Sequence, residues 1–368
     1  MYGFIGLGQA GSSICNIASK MNFPSVAINY SEKDLLSCVN IEEENKLCLI
    51  GSEGVGKDRQ QAIKLMNTNW ERVTSFIEEK FSHPSIEIIF IVYSTGGGSG
   101  SGISSLVIDL LQNKMNKVFV ACPILPSLNE VATSQLNTIE AMSDLSGLDI
   151  AVLSIDNEKG NATDKGETYQ KINYRFINQL NQLLHYTEQE STISNLDKRD
   201  LLTLFSTQGL INISELNLVD LNHSVVENEK WVNQALIKSW DDQIYITPEK
   251  KRLIRMGLIV DCHSSVLKSL ELQQLYNQFE SGEPLALYEG YYETGQNKIL
   301  TILTGLSWCE ARIRKIEERI QTQEVKLGSL FEEEIRYTPT ISTQRFKQPA
   351  QQEKKKRSAL DILSKYKR

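Results

Sequence analysis

A run of seven residues in the first third of the chain contains five glycines, Gly96-Gly97-Gly98-Ser99-Gly100-Ser101-Gly102. Glycine tolerates positive φ and has no Cβ, so backbone N–H groups in such a run can converge on an anion. Residues 86–93 before it are apolar and predict a buried strand, and residues 103–112 after it predict a helix. A strand, a glycine loop and a helix N-terminus together predict a phosphate site. A flexible linker is the alternative interpretation, but linkers are not usually placed between a buried strand and a helix.

The glycine run does not end in the Gly-Lys-Ser/Thr of the common phosphate loop, because the next lysine is Lys114. It resembles the signature of the tubulin/FtsZ superfamily, which is a glycine triplet, Ser or Thr, Gly, a small residue and Gly. This resemblance implies an α/β fold with a Rossmann-type GTPase domain, a long core helix and a second α/β domain. It also implies that GTP is the cofactor, with Mg²⁺ expected beside it. The phosphate ligands would be Gly96, Gly97, Gly98, Ser99, Gly100 and Ser101.

A second glycine motif, Gly6, Gly8 and Gly11, lies between the first predicted strand and helix and also fits a dinucleotide-binding Rossmann unit. That interpretation requires an acidic residue at the end of the second strand, where this chain has Asn29. It also leaves the run at 96–102 without a role. The superfamily resemblance accounts for both loops. It implies nucleotide contacts from Gly8, Gln9, Ala10, Gly11 and Asn29, and a nest for the terminal phosphate from Gly54 and Gly56 in the loop 51–59.

Further candidate nucleotide ligands follow in the order that the superfamily implies. Glu130 corresponds to a carboxylate that binds ribose, and Asn157 to an asparagine that reads guanine. Apolar residues at helical spacing predict a long helix from Thr168 to about Gln189. Tyr174 and Asn178 lie four apart and share one face of it, where the family stacks a tyrosine on guanine and reads its edge with an asparagine. Considered alone, Tyr174 is equally well explained as a buried tyrosine, and Asn178 as a surface asparagine.

The segment from Asn195 to Asp200 resembles the superfamily's synergy loop, an Asn, a hydrophobic residue, an Asp, two variable residues and an acidic residue. The resemblance implies that Asn195, Asp197 and Asp200 are catalytic and complete the nucleotide site of the next subunit in a filament. The alternative interpretation is a helix N-cap with Asp200 in the first turn, and both can hold at once. The stretch around Asn212 is a second candidate, but it lacks the acidic pair.

Composition predicts a globular protein, with 40% hydrophobic and 23% charged residues among 368. No apolar stretch reaches the eighteen residues of a membrane span, and the first predicted strand begins at Tyr2, which leaves no room for a signal peptide. Six cysteines without paired spacing predict a reduced, cytoplasmic protein with no structural metal site. The predicted divisions are a GTP-binding domain (1–167), the core helix (168–194), a second, activation domain (195–305), a C-terminal helix (306–336) and a disordered basic tail (337–368).

The tail carries charge opposite to that of the body. Residues 344–368 hold nine Lys or Arg and two Asp or Glu, a net of +7, whereas the whole chain has a formal net charge of −7. Together with the filament that the superfamily resemblance implies, this charge leads us to expect that the segment binds a DNA-binding adaptor. Direct DNA contact and membrane contact are weaker alternatives, and a merely solubilising role is the ordinary interpretation. The near-heptad pattern of the preceding helix also allows a coiled coil.

Within the superfamily, the opening Gly3-Phe4-Ile5-Gly6, the strand end Ile155-Asp156-Asn157 and the charged terminal helix most resemble the TubZ group of plasmid and phage partition proteins. This implies a GTPase whose partner is itself, in head-to-tail filaments that move DNA indirectly, through the adaptor, without a membrane. A filament that positions phage or division machinery without an adaptor remains an alternative, as does a filament scaffold that hydrolyses GTP poorly. A Rossmann oxidoreductase is the third alternative interpretation.

Overall fold

The computed structural model describes residues 1–160, 164–218, 231–267 and 269–332. The strands are β1 (Tyr2–Leu7), β2 (Ser25–Asn29), β3 (Lys46–Cys48), β4 (Ile88–Ser94), β5 (Val118–Leu125), β6 (Ala151–Val152), β7 (Ile155–Asp156), β8 (Gly209–Asn217), β9 (Arg255–Asp261), β10 (Ala286–Tyr292) and β11 (Lys298–Leu306). The α-helices are α1 (Gly8–Lys20), α2 (Glu32–Leu36), α3 (Arg59–Met66), α4 (Trp70–Lys80), α5 (Ser99–Lys114), α6 (Ala132–Ser146), α7 (Lys165–Tyr186), α8 (Lys198–Phe205), α9 (Trp231–Asp241), α10 (Ser264–Leu267), α11 (Leu272–Tyr276) and α12 (Glu310–Glu332). Two short 3₁₀ helices span Glu43–Asn45 and Asn157–Lys159.

The strands of the described ranges all belong to one sheet of eleven strands. Its order is β10-β9-β11-β8-β6-β5-β4-β1-β2-β3, with β7 paired to β5. The pairs are parallel except that β11 runs antiparallel to both β8 and β9. The carboxyl ends of β1 and β4 therefore meet at one edge of the sheet, which is where parallel α/β folds place their ligands.

Helices cover both faces of the sheet, so its central strands are buried on both sides. One core contains Ile14 of α1, Phe176 of α7 and Leu204 of α8. The other contains Val107 of α5 and Met142 of α6. This layered α/β architecture confirms the predicted fold class, including the long core helix, which begins at Lys165 and ends at Tyr186.

The main difference from the sequence prediction concerns residues 150–155, which we expected to form one strand. They form two short strands, because β8 pairs with β6 only at Ala151 and Val152. Beyond that point Tyr245 bridges to Ile155, and the Asp156 amide donates to the carbonyl of Ile244. A different part of the chain therefore takes over the pairing and interrupts the strand.

Residues Met1–Gln323 form one compact unit, and the described part of the second is the end of helix α12, from Glu324 to Glu332. The domain boundaries proposed from the sequence remain proposals. The predicted basic tail lies outside the described residues. In the ranges given above, no helix is both long and apolar enough to cross a membrane.

Candidate functional site

Three loops meet at the carboxyl edge of β1 and β4. A Cβ added to Gly8, whose φ is +71°, would lie 2.9 Å from the amide nitrogen of Gly100. A Cβ on Gly98 would lie 2.9 Å from the Cα of Lys57. Glycine is therefore required at both contacts, and the structure brings together the first glycine loop, the run at 96–102 and the loop 51–59.

Two helix N-termini open at this junction. Helix α1 begins at Gly8 and α5 at Ser99, and in the described part of the chain neither has a side-chain cap or an acidic residue in its first turn. By contrast, Asp164 and Asp197 cap α7 and α8. Uncapped N-terminal amides and the positive end of the helix dipole favour an anionic ligand. The hydroxyl of Ser101 donates to the carbonyl of Gly97, so this predicted ligand holds the loop together through its side chain.

The loop 51–59 adds left-handed backbone and a cation. Gly54, Gly56 and Lys57 have φ of 138°, 52° and 67°. The ammonium of Lys57 donates to the Ser134 hydroxyl at 2.7 Å. The amide of Asn137 donates to the carbonyls of Lys57 and Gly97, each at 3.0 Å, and thereby ties this loop to the glycine run.

Lys57 differs from its neighbour Arg59 in its partners. Arg59 is buried and forms ion pairs with Glu140 and Asp144. Lys57 has no carboxylate within ion-pair distance among the described residues, and its ammonium is bonded to a neutral hydroxyl. A positive charge without a protein counter-ion thus lies beside the glycine triplet, where it favours a phosphate.

The residues predicted to bind the ribose and the base are partly or largely exposed to solvent. Glu130 accepts a hydrogen bond from the Tyr169 hydroxyl at 3.0 Å. Burial raises the pKa of Tyr169, and the Glu130 carboxylate raises it further, so the hydroxyl keeps its proton. The side chains of Asn157, Tyr174 and Asn178 form no hydrogen bond to any described residue. Tyr174 is 56% exposed, which leaves its ring available for stacking.

Three further candidates from the first loops differ from one another in burial and in their hydrogen-bond partners. Asn29 is buried, donates to Asp34 at 2.9 Å and accepts from the Tyr30 amide. Its side-chain amide therefore already has partners within the protein. Gln9 is exposed, and Ala10 is half-buried.

The candidate catalytic segment forms a capping box at the start of α8. The Asp197 carboxylate accepts from the amides of Arg199 and Asp200, and the Asp200 carboxylate accepts from the Asp197 amide at 2.9 Å. Asn195 bonds the backbone of Ser191 with both ends of its amide. One oxygen of each carboxylate, Oδ2 of Asp197 and Oδ1 of Asp200, accepts no hydrogen bond from the described residues.

Burial raises the pKa of Asp200; the hydrogen bond from the Asp197 amide opposes this shift, and the Asp197 carboxylate adds to it. A carboxyl group with a raised pKa is closer to the range in which it exchanges protons at neutral pH.

Helix α8, which follows this segment, lies beside the amino end of β1, whereas the glycine loops follow the carboxyl ends of β1 and β4. The ring of Phe205, in α8, contacts the ring of Tyr2 with centroids 6.1 Å apart. Burial lowers the pKa of the Met1 ammonium, and the Lys198 ammonium is close enough to lower it further. Met1 precedes β1 and Gly8 follows it, and six residues of strand span about 20 Å. Helix α8, which begins with Asp197 and Asp200, therefore packs about the length of one strand away from its own chain's glycine loops.

Sequence reasoning did not assign a role to Lys57, Asn137 or Tyr169. The Gly-Lys pair at 56–57 inside a glycine-rich loop was a usable signal for the first. No comparable signal in the sequence pointed to Asn137 or Tyr169, because each side chain donates a hydrogen bond to a loop that is distant in sequence. No cluster of three or more His, Cys, Asp or Glu side chains that could hold a metal occurs in the described ranges.

Residues 3–162 match the family model of the Tubulin/FtsZ family, GTPase domain. TubZ of Clostridium botulinum C phage is 23% identical over 328 residues, covering 86% of this chain and 82% of that protein. CetZ of Pyrococcus abyssi is 22% identical over 312 residues, covering 82% and 84%.

Among solved structures, a GTPγS-form protofilament of Bacillus thuringiensis serovar israelensis TubZ superposes with a TM-score of 0.76. It is 17% identical and covers 90% of this chain and 94% of that one. At this identity the likeness shows the fold. TubZ and CetZ proteins match the sequence about equally, so identity does not separate the two groups.

Proposed function

We propose that this chain, whose residues 3–162 match the family model of the Tubulin/FtsZ GTPase domain, binds GTP at the three glycine loops and hydrolyses it inside a head-to-tail filament. The triphosphate contacts the uncapped N-termini of α1 and α5 and the ammonium of Lys57. Mg²⁺, when bound with the nucleotide, would neutralise part of the phosphate charge. A bound triphosphate explains why a positive charge and several glycines, which have no Cβ, occur at the same place.

The nucleoside occupies the surface between Glu130 and helix α7. Glu130, held by Tyr169, accepts from the ribose hydroxyls. Asn157 and Asn178 read the guanine edge, and the exposed ring of Tyr174 stacks on the base. The free amides of these two asparagines support the assignment, because each can both donate to and accept from guanine.

One observation carries the proposal that hydrolysis occurs between subunits. Helix α8, which begins with Asp197 and Asp200, packs its Phe205 ring against Tyr2 at the amino end of β1, and the glycine loops follow the carboxyl ends of β1 and β4. A second copy stacked in the same orientation brings its Asp197 and Asp200 onto the first copy's phosphates. Their free oxygens then polarise the attacking water as a general base. Such a contact joins two different surfaces, so it repeats into an open filament.

We further propose that the filament carries plasmid or phage DNA through a DNA-binding adaptor of the TubR type. The charge of +7 on residues 344–368 supports this role. A filament presents many tails at once, which multiplies their effective concentration for a partner. A cytoskeletal filament without an adaptor is the second candidate, because CetZ proteins match this chain as well as TubZ does.

Light scattering and electron microscopy of the purified protein test the filament. We expect filaments with GTP and none with GDP or ATP; absence of assembly with GTP at any protein concentration contradicts the proposal. Deletion of residues 344–368 tests the adaptor. Tail-less filaments should form normally but no longer co-sediment with the adaptor and its DNA, whereas unchanged co-sedimentation favours the second candidate.

A further inference from the structure

Helix α12 contributes a buried ion pair that the proposed site does not use. Arg312 donates from Nε to Oδ2 of Asp156 at 2.8 Å and from Nη2 to Oδ1 at 2.9 Å. The side chains of Arg312 and Asp156 are 8% and 4% exposed. The two residues are 156 positions apart in sequence, so the pair fixes the C-terminal helix to the end of β7.

The same helix holds the loop that carries Glu130. Nη2 of Arg312 also donates to the carbonyl of Pro126 at 2.8 Å. Arg319 donates from Nε to the carbonyl of Leu128 at 2.9 Å. Residues 312 and 319 are seven apart and therefore lie on one face of the helix, two turns from each other.

The two held segments are those that carry the candidate nucleoside ligands. Asp156 directly precedes Asn157, and Leu128 is two residues before Glu130. The Glu158 carboxylate accepts from the Leu128 amide at 2.8 Å, which joins the segments to each other. The first turns of α12 therefore span the base-reading and the ribose-binding loops.

Anchoring of the helix alone does not explain this arrangement. Ile316 is fully buried on the same stretch of α12 and packs into the core. Burying a charged pair costs desolvation energy, and apolar residues of similar volume hold elements together equally well or better. A planar guanidinium instead fixes the direction of two carboxylate oxygens and a carbonyl at once.

We propose that Arg312 and Arg319 are positioning residues of the nucleotide site, which set the spacing between Asn157 and Glu130 that a bound nucleoside requires. This inference rests on the proposed function, because it assigns guanine and ribose to those two residues. Binding and positioning are reciprocal, so a nucleotide also strengthens the docking of α12 on both loops.

Titration calorimetry of the full chain with GDP tests the proposal. Arg319→Gln removes one charged hydrogen bond on a half-buried residue, and we expect it to weaken GDP binding about tenfold. Lys315→Gln removes the same charge from the exposed side of the helix and should bind as the wild type does. Arg319→Lys keeps a donor and should recover part of the affinity. Equal GDP affinity for Arg319→Gln and wild type, in folded proteins with equal melting temperatures, overturns the proposal.

Hydrogen exchange supplies a readout that a purely structural role would not change. In the wild type, GDP should slow exchange of the amides at 312–320, and Arg312→Lys should reduce this protection. Unchanged exchange upon saturation with GDP contradicts the coupling. If the wild type itself fails to bind GDP, the proposed function falls, and this inference falls with it. If the wild type binds GDP but the variants change neither GDP affinity nor amide exchange, this inference is rejected and the proposed function stands.

Discussion

The ammonium of Lys57 donates to the hydroxyl of Ser134 at 2.7 Å, beside the glycine triplet. In the described ranges it has no carboxylate partner, so its charge is available to a phosphate. Replacing it with methionine keeps the length of the side chain and removes the charge. We expect Lys57→Met to weaken GTP binding about tenfold. Titration calorimetry measures it, with Lys64→Met on the exposed face of α3 as the control. Equal affinities for the two variants would remove Lys57 from the site.

Two adjacent glycines should respond differently to the same substitution. A Cβ on Gly98 meets the Cα of Lys57 and the amide of Asp58 at 2.9 and 3.0 Å, so Gly98→Ala should lower the melting temperature. A Cβ on Gly97 meets no described atom within 4 Å beyond its own chain neighbours. We therefore expect Gly97→Ala to melt as the wild type does but to bind GTP more weakly, because the added methyl group occupies space needed by a phosphate. Wild-type GTP affinity for Gly97→Ala contradicts this assignment.

The base preference depends on Asn178, whose amide has no partner among the described residues. Its loss leaves a buried guanine group unpaired and should cost about 1–3 kcal/mol of GTP binding. Asn178→Ala should also narrow the preference for GTP over ATP in a competition assay. Asn173→Ala, on the same helix but a different face, is the matched control. A preference unchanged in Asn178→Ala would show that the base is read elsewhere.

The pH dependence of hydrolysis follows from Asp200. Burial raises the pKa of its carboxyl group above the usual value of about 3.9. Its carboxylate form, which polarises water, is therefore lost as the pH falls through this raised value. Because the pKa of Asp200 is higher in the folded than in the unfolded state, protonation of this carboxyl group also stabilises the folded state. This contribution to the free energy of unfolding is full below the pKa of the unfolded state and disappears as the pH rises through the pKa of the folded state.

We accordingly expect the GTPase rate of assembled filaments to fall on acidification at a pH above that of an ordinary aspartate. Asp200→Asn should bind GTP and assemble but lose hydrolysis at every pH. Sedimentation in the same buffers shows whether filaments persist. A wild-type rate in Asp200→Asn would exclude this residue from the mechanism.

Local sequence patterns predicted much of the fold and the elements that surround the candidate phosphate site. The glycine run, its flanking strand and helix, and the cap at Asp197 depend on neighbours in sequence, and the structure contains all of them. The contacts of Arg312 and Tyr169 could not be predicted, because each joins segments far apart in the chain. The break between β6 and β7 could not be predicted either, because the segment around Tyr245, which causes it, is distant in sequence.

The central claim is that each active site is shared between two subunits. Its most direct test is the GTPase rate per subunit, measured at saturating GTP over a wide range of protein concentration, with sedimentation of the same samples. A shared site requires assembly, so the rate per subunit should fall toward zero below the concentration at which filaments disappear and reach a plateau above it. A rate per subunit that stays constant through that concentration would show that one chain completes the site alone, and would contradict the account.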